Sequence, residues 1–518
     1  MPRDDHIDKP YLPNRKDFHL EKGTVMKSLM KKVFAAAAAI ATVFGLAATT
    51  VATANAADNA TLTVSTTDAK FAGKTVNAYK MFSATVSGDG KAVSYTLTDE
   101  WKPFFKNSVG LTGVTDENVN DKANDYVSKL KDSTLVAFAT KASNWAQTKA
   151  NNITADATAT VSADASNGKY TATFTGLGYG YYVVAVPGAT LANAKSQYAT
   201  LVSVHSTKVD ADIKGDLPTV DKKVQVDGTG KDATDAKIGD TLTFTLTSTI
   251  PDMSAYDTYT FNFKDTLSKG LTFGQVKSVK VENVTLTENT DYTVTTPTAS
   301  NNNTLTVAMK DFKTKQQANA GKKITVTYTA TLNENAVVGG AGNVNSAKIQ
   351  YSNNPSTNGT GESEPSKVRV FTYGFTVDKY TGDQYTDAAT RLAGAEFTLA
   401  HKDGSAISFV QVSAGSATAN AVYRVAKAGE TGTTTITTPA NGKVVFEGLK
   451  NGEYTLTETK APAGYNKLAS AIGVKVNGQN NGTDTTNATV TITYNNDNGN
   501  DYNQTASNGV IPDRKSVV

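Results

Sequence analysis

Asn441-Gly-Lys-Val-Val-Phe-Glu-Gly-Leu-Lys-Asn-Gly-Glu-Tyr-Thr-Leu-Thr-Glu-Thr-Lys-Ala-Pro-Ala-Gly-Tyr465 is the stretch whose reading decides the fold. Two runs of alternating apolar and polar residues flank Gly448-Leu-Lys-Asn-Gly452, and Ala461-Pro-Ala-Gly464 stops the second run. This spacing predicts a β-hairpin. Period two puts Tyr454, Leu456 and Glu458 on one face, so a carboxylate is carried among apolar neighbours. A buried acid is costly unless something uses it. On an edge strand the same glutamate would only keep the sheet soluble.

The rest of the chain has the same character. Thr, Val and Tyr recur at alternate positions with Gly and Asn between them, which is the composition of an all-β protein. At 518 residues there is room for three or four domains. A net charge of +3, with lysines spread singly, argues against nucleic acid or an anionic membrane as partner. Cysteine is absent. An extracellular chain without thiols must obtain its stability from its cores or from another covalent device.

Secretion is read from the start of the chain. Lys27, Lys31 and Lys32 form a positive region, Val33 to Ala52 is apolar, and Ala54-Asn55-Ala56 is a small-x-small site. Residues 26–56 therefore read as a signal peptide cleaved between Ala56 and Ala57. The rival reading of this apolar run is a membrane anchor. Residues 1–25, polar and without periodicity, read as an over-extended gene start.

Three domains follow, at 57–215, 216–371 and 372–512. The first contains a helical interlude over about Glu117 to Lys149, where Val119, Tyr126, Leu130, Val136, Phe138 and Trp145 recur and no Gly or Pro intervenes. It also contains Asn167-Gly-Lys-Tyr-Thr-Ala-Thr-Phe-Thr-Gly-Leu-Gly-Tyr-Gly-Tyr-Tyr-Val-Val-Ala-Val186, an echo of the opening stretch. Setting Gly176-Leu177 on Gly448-Leu449 brings Val186 to the place of Glu458. Charged, Gly- and Pro-bearing segments between Val204 and Val224 and over Ser352 to Ser366 read as connectors.

Strand parity places three polar residues of the middle domain on inward faces. Lys222 lies between Val220 and Val224, Asp265 follows Phe261 and Phe263, and Asn345 precedes Ala347, Ile349 and Tyr351. Buried separately, such groups cost several kcal/mol each, about 2–7 for a neutral polar group. Together they can react. Desolvation favours the neutral amine and the protonated acid, so the amine attacks, the acid shuttles protons and ammonia leaves.

The Glu453-Tyr-Thr-Leu-Thr-Glu458 run followed by Ala461-Pro-Ala-Gly-Tyr465 closely resembles the E-box of the Cna-B-like domains in Gram-positive sortase-assembled pilus backbone subunits of the SpaA/FimA-like kind. Segments 263–273 and 342–355 resemble the middle domains of the same family. The resemblance implies tandem immunoglobulin-like, Cna-type β-sandwich domains, with a short helical insertion in the first. It implies that Lys222 is a nucleophile, Asp265 a catalytic acid and Asn345 the acceptor of a spontaneous intramolecular amide bond, with Lys223 and Asn343 as alternatives. In the third domain it implies Lys379 as nucleophile and Glu458 as acid. The acceptor there is open: Asn496 shares parity with Val490, Ile492 and Tyr494, or a final strand starting at Val510-Ile-Pro512 is missing. Domain one, with Val186 in place of the acid, is expected to form no cross-link.

The family also uses one exposed lysine near the end of domain one for polymerisation. By position that is Lys214, with Lys208 in reserve. The implied partners are neighbouring pilin subunits, a class C sortase, the housekeeping sortase and peptidoglycan; the host surface ligand is unknown. No cofactor or metal is implied, and the mature part has only His205 and His401 as histidines. The Leu-Pro-x-Thr-Gly sorting signal of the family is absent, and Asp513-Arg-Lys-Ser-Val-Val518 is what a common sequencing-library adapter would encode. Residues 513–518 are therefore expected to be an artefactual tail. The function expected is a secreted, cell-wall-attached pilus backbone rather than an enzyme. A monomeric wall-anchored adhesin is the first alternative, and a carbohydrate-active enzyme with accessory modules ranks below it.

Overall fold

The computed structural model describes residues 59–87, 92–189, 199–355, 357–382, 390–479, 489–495 and 504–515. The signal-peptide reading with Ala56 and Ala57, the first 25 residues, Asn496 and the last three residues lie outside them. The chain divides at Leu217 and Pro218 into two compact units.

In the first unit Ala60–Thr66 lies between Tyr170–Leu177, antiparallel, and Lys208–Asp212, parallel. The second sheet has the order Val93–Leu97, Thr75–Val86, Gly180–Ala185, Ala199–Val204, with Ala157–Thr160 also pairing Thr75–Val86. The helices are Lys102–Asn107, Val119–Ser128 and Asp132–Gln147. The first of these lies outside the helical interlude read from the sequence, and its Pro103 falls in the first turn, where Pro is well tolerated. The helices cover the sheet with a cluster of Trp101, Phe104, Phe105 and Phe138 against Phe82 and Tyr181. Among the described residues no helix is long and apolar enough to cross a membrane.

The second unit holds two sandwiches. In the middle domain one sheet has the order Thr229–Lys231, Asp221–Val226, Thr241–Thr249, Lys323–Leu332, Leu271–Val281, Val284–Thr285. The facing sheet runs Ala233–Asp235, Ser366–Phe371, Asn343–Ser352, Phe261–Leu267, Thr304–Met309, Tyr292–Thr295, with Thr360–Glu362 on Asn343–Ser352. Alternation does what the sequence asks of it: along Thr241–Thr249, Phe244, Leu246 and Ser248 are buried and the threonines between them are not. In the third domain one sheet runs Phe409–Ser413, Ala421–Val425, Lys443–Leu449, Tyr373–Thr381, Val510–Lys515. The other runs Ile436–Thr437, Glu396–His401, Gly452–Lys460, Ile472–Gln479, Thr489–Tyr494, Gln504–Thr505. The Val510–Lys515 strand is thus part of this sheet, and it passes through Asp513–Lys515, residues that the sequence reading set apart as a tail.

The opening stretch is not a hairpin. Lys443–Leu449 pairs with Tyr373–Thr381 and Ala421–Val425, whereas Gly452–Lys460 pairs with Glu396–His401 and Ile472–Gln479 in the other sheet. The turn is an arch from one sheet to the other. Side chains close it in place of a backbone ladder. The Tyr454 hydroxyl donates to the Lys450 carbonyl at 2.6 Å, and Asn451 bonds both the carbonyl (3.0 Å) and the amide (2.5 Å) of Gly478. Both strands thereby aim their apolar faces into one core from opposite sides, which a hairpin in one sheet cannot do.

The repeat in domain one is the same arch. Its two strands also lie in different sheets, and the Tyr182 hydroxyl donates to the Gly178 carbonyl at 2.7 Å, as Tyr454 does to Lys450. Gly176 and Gly448 both hold left-handed backbone, at φ 72° and 83°. Gly448 also seats the third domain on the middle one. Its carbonyl accepts from the Ile238 amide at 3.0 Å, and a Cβ there would stand 2.7 Å from Ile238 Cδ1. The Asn451 amide donates to Asp235 at 2.7 Å beside it. Gly448→Ala should therefore lower stability by roughly 1–3 kcal/mol, since strained backbone and crowding add. Urea unfolding measures this, and a midpoint equal to that of the parent chain would contradict the reading of this joint.

Candidate functional site: two buried lysines

Each strand brings one group to the middle-domain core. Lys222 stands on Asp221–Val226 and Tyr328 on Lys323–Leu332 in one sheet; Asp265 and Asn345 stand on Phe261–Leu267 and Asn343–Ser352 in the facing sheet. All four side chains are fully buried. Among the described residues the only buried lysines are Lys222 and Lys379, the two that sequence parity and resemblance single out.

The Lys222 amine contacts Asp265 Oδ2 and donates to the Tyr328 hydroxyl at 2.9 Å. That hydroxyl donates to Asp265 Oδ2 at 2.6 Å and accepts from Asn345 Nδ2 at 2.6 Å. Asp265 Oδ1 and the Asn345 carbonyl oxygen are buried and make no hydrogen bond. The amine also lies 5.2 Å and 5.1 Å from the ring centres of Phe244 and Tyr328, which stack at 5.3 Å. Desolvation outweighs the charge of Asp265 and pushes the Lys222 pKa down from 10.5 to about 8, so a neutral amine is accessible near physiological pH. Burial holds the Tyr328 phenol well above the ordinary tyrosine range.

The alternatives have other occupations. Lys223 points outward to Asp232 and Asp221, at 2.6 and 3.2 Å. Asn343 is buried but ties the Val337 backbone (2.9 and 3.2 Å) to the Val370 carbonyl (3.1 Å). Tyr328 is the residue that sequence reasoning missed. Its inward parity with Ile324, Val326 and Ala330 was legible, but a tyrosine on such a face is ordinary core.

In the third domain Tyr373–Thr381 and Val510–Lys515 are parallel neighbours, with Lys379 directly opposite Asp513. The Lys379 amine is 2.6 Å from Asp513 Oδ2 and 3.0 Å from Glu458 Oε1, and all three side chains are buried. Glu458 reaches across from the other sheet, and its Oε2 accepts from the Leu468 amide at 2.7 Å. Burial lowers the Lys379 pKa against the opposing pull of both carboxylates. The group in the acceptor's place is an aspartate, carried inward with Ile511 on the final strand. Alternation along Val510–Lys515 was the signal that could have found it.

Among the described residues of domain one no lysine, aspartate or glutamate side chain is buried. Leu62, Val64 and Val186 are buried in its core. Lys214 is partly exposed, 3.3 Å from Asp212, and Lys208 is exposed at the start of the last strand. Among the described residues no group of three or more His, Asp or Glu side chains is placed to hold a metal.

Residues 238–355 match the family of Gram-positive pilin backbone subunit 2, Cna-B-like domain, and residues 383–492 match the SpaA prealbumin-like fold domain. The trypsin-resistant surface T6 protein of Streptococcus pyogenes serotype M6 is 26% identical over 279 residues, a match spanning 49% of this chain and 44% of that protein. Among solved structures, the T6 backbone pilin of serotype M6 Streptococcus pyogenes is 20% identical with a TM-score of 0.45, covering 82% of this chain and 84% of that one. The 35 kDa C-terminal fragment of the major pilin GBS80 of Streptococcus agalactiae is 25% identical with a TM-score of 0.38, covering 50% and 90%. The chain thus carries a domain matching the Gram-positive pilin backbone subunit 2, Cna-B-like family and a second matching the SpaA prealbumin-like fold family.

Proposed function

We propose that this chain is a structural subunit of a covalently polymerised cell-surface pilus, and that its second and third domains each close an intramolecular amide bond on a buried lysine. The observation that carries this reading is the burial of Lys222 and Lys379, alone among the described lysines, each against a buried carboxylate. A buried ion pair contributes little to stability and often costs it. The same pair is well suited to reaction, because the proton that keeps the amine inert has an acceptor beside it.

In the middle domain the neutral Lys222 amine attacks the Asn345 carboxamide carbon. The C–Nδ2 bond breaks, one proton passes from Nζ to Nδ2 by way of Asp265, and ammonia leaves. In the third domain Asp513 is the acceptor in register and Glu458 the acid, so condensation with Lys379 releases water. The middle-domain bond closes a loop of more than a hundred residues, which by analogy with disulfides stabilises by roughly 4–5 kcal/mol through the unfolded state. Lys214 is the proposed inter-subunit lysine, with a class C sortase and a neighbouring subunit as partners, and the housekeeping sortase and peptidoglycan as the route to the wall. Host adhesion is the role such a fibre would serve.

Peptide mapping tests the bonds. A branched peptide joining Lys222 to Asn345 is expected about 17 Da lighter than its parts, and one joining Lys379 to Asp513 about 18 Da lighter. Free Lys222 and Asn345 in folded protein would sink the proposal for the middle domain.

The amine pKa gives an independent test in Asn345→Ala, which keeps Lys222 titratable. Its folded pKa near 8 lies below the ordinary 10.5, so the unfolded state binds more protons between these values. Stability of this variant should rise as pH is raised from 8 to 10.5, the penalty for the buried charge being full below 8 and gone above 10.5. The cross-linked parent has no amine to titrate there, and its urea midpoint should lack that rise. Equal pH dependence in the two proteins would contradict the bond.

For polymerisation, Lys214→Arg keeps the charge but removes the acyl-accepting amine. Boiling-resistant ladders from cell-wall extracts should then collapse to monomer, while Lys208→Arg leaves them intact. A ladder that survives the first change excludes Lys214.

A further inference from the structure

We infer that the Tyr328 hydroxyl is a third catalytic group of the middle-domain condensation, the one that delivers the proton to the departing nitrogen. This rests on the Lys222–Asn345 bond proposed above and assigns a role that Asp265 alone does not fill. Asp265 touches the amine but makes no hydrogen bond with Asn345. The tyrosine hydroxyl touches all three groups: it accepts from Lys222 Nζ at 2.9 Å and from Asn345 Nδ2 at 2.6 Å, and donates to Asp265 Oδ2 at 2.6 Å. A hydroxyl has one proton and two lone pairs, so these three bonds use its full capacity.

The proton count then closes. As the Nζ–C bond forms, Nζ gives its surplus proton to Asp265 Oδ2. Tyr328 passes its own proton to Nδ2 and takes the one held by Asp265. The C–Nδ2 bond breaks, ammonia leaves, and both tyrosine and aspartate return to their starting states. Because burial disfavours the phenolate, the hydroxyl hands one proton on as it receives another. The leaving amide nitrogen needs this help, since expulsion of an unprotonated amide anion is prohibitively slow in a site without bulk water.

The ring and the hydroxyl can be separated experimentally. Tyr328 stacks on Phe244 at 5.3 Å, and Tyr328→Phe keeps that packing while removing only the oxygen. The full chain carrying Tyr328→Phe should fold, be isolated with Lys222 and Asn345 free, and lose ammonia about 10²- to 10⁴-fold more slowly, as followed by intact mass over time. Phe244→Leu disturbs the stack but leaves the hydroxyl, and should link at a rate close to the parent's. If Tyr328→Phe is isolated fully linked, or if Phe244→Leu is slowed as much, the hydroxyl has no catalytic part. Should Tyr328→Phe fail to fold, 3-fluorotyrosine at this position keeps the packing and lowers the phenol pKa. A shifted rate–pH profile then supports the relay, and an unchanged profile overturns it. Absence of the bond in the parent protein itself is a different result, and it removes the cross-link proposal rather than the tyrosine's place in it.

Discussion

An ammonium group withdrawn from water is the constraint on which the two later domains depend. Bringing Lys222 or Lys379 into a dry core costs several kcal/mol, and a carboxylate alongside seldom returns all of it. Ordinary sandwiches fill their cores with aliphatic side chains, as domain one does with Leu62, Val64 and Val186. The cores of the middle and third domains instead keep polar clusters whose members come from both sheets. Such a core is a poor resting state and a good reactant: an amide is neutral, so the proposed condensation replaces the most expensive group in the interior with one that costs far less to bury.

How much of this was legible follows from what period two can and cannot say. It gives the face of a side chain within its own strand, and that was enough to gather Lys222, Asp265 and Asn345, and to turn Glu458 inward. It does not say which sheet a strand joins. The two runs around Gly448-Leu-Lys-Asn-Gly452 have hairpin spacing, yet they enter opposite sheets, because the Tyr454 hydroxyl and the Asn451 side chain satisfy the backbone that a ladder would otherwise hold. Nor does parity separate a working tyrosine from a packing one, which is why Tyr328 stayed hidden. Asp513 was missed for a different reason. Residues 513–518 read as an artefactual tail, and the carboxylate that stands in register with Lys379 lies among them.

The internal repeat separates architecture from chemistry. Domains one and three share the arch, its left-handed glycine and its tyrosine-to-carbonyl bond at equivalent positions. They also share first and last strands that run parallel as neighbours, Ala60–Thr66 with Lys208–Asp212 and Tyr373–Thr381 with Val510–Lys515. Among the described residues of domain one the frame occurs without a buried lysine and its carboxylates, so those groups are an addition to a fold that apolar packing also supports.

That frame also decides where a covalent tie is most useful under load. Tension on the two ends of a domain whose first and last strands are parallel neighbours shears them, straining every bond of the ladder at once. The middle domain lacks this clamp. Its first strand, Asp221–Val226, and its last, Ser366–Phe371, lie in different sheets, and one link between them is the Lys222 amide donating to the Ser366 hydroxyl at 3.0 Å. Tension there would act to part the two sheets, loading contacts a few at a time. A bond from Lys222 in one sheet to Asn345 in the other crosses that very plane of separation, which gives the middle domain more need of a covalent bridge than either of its neighbours.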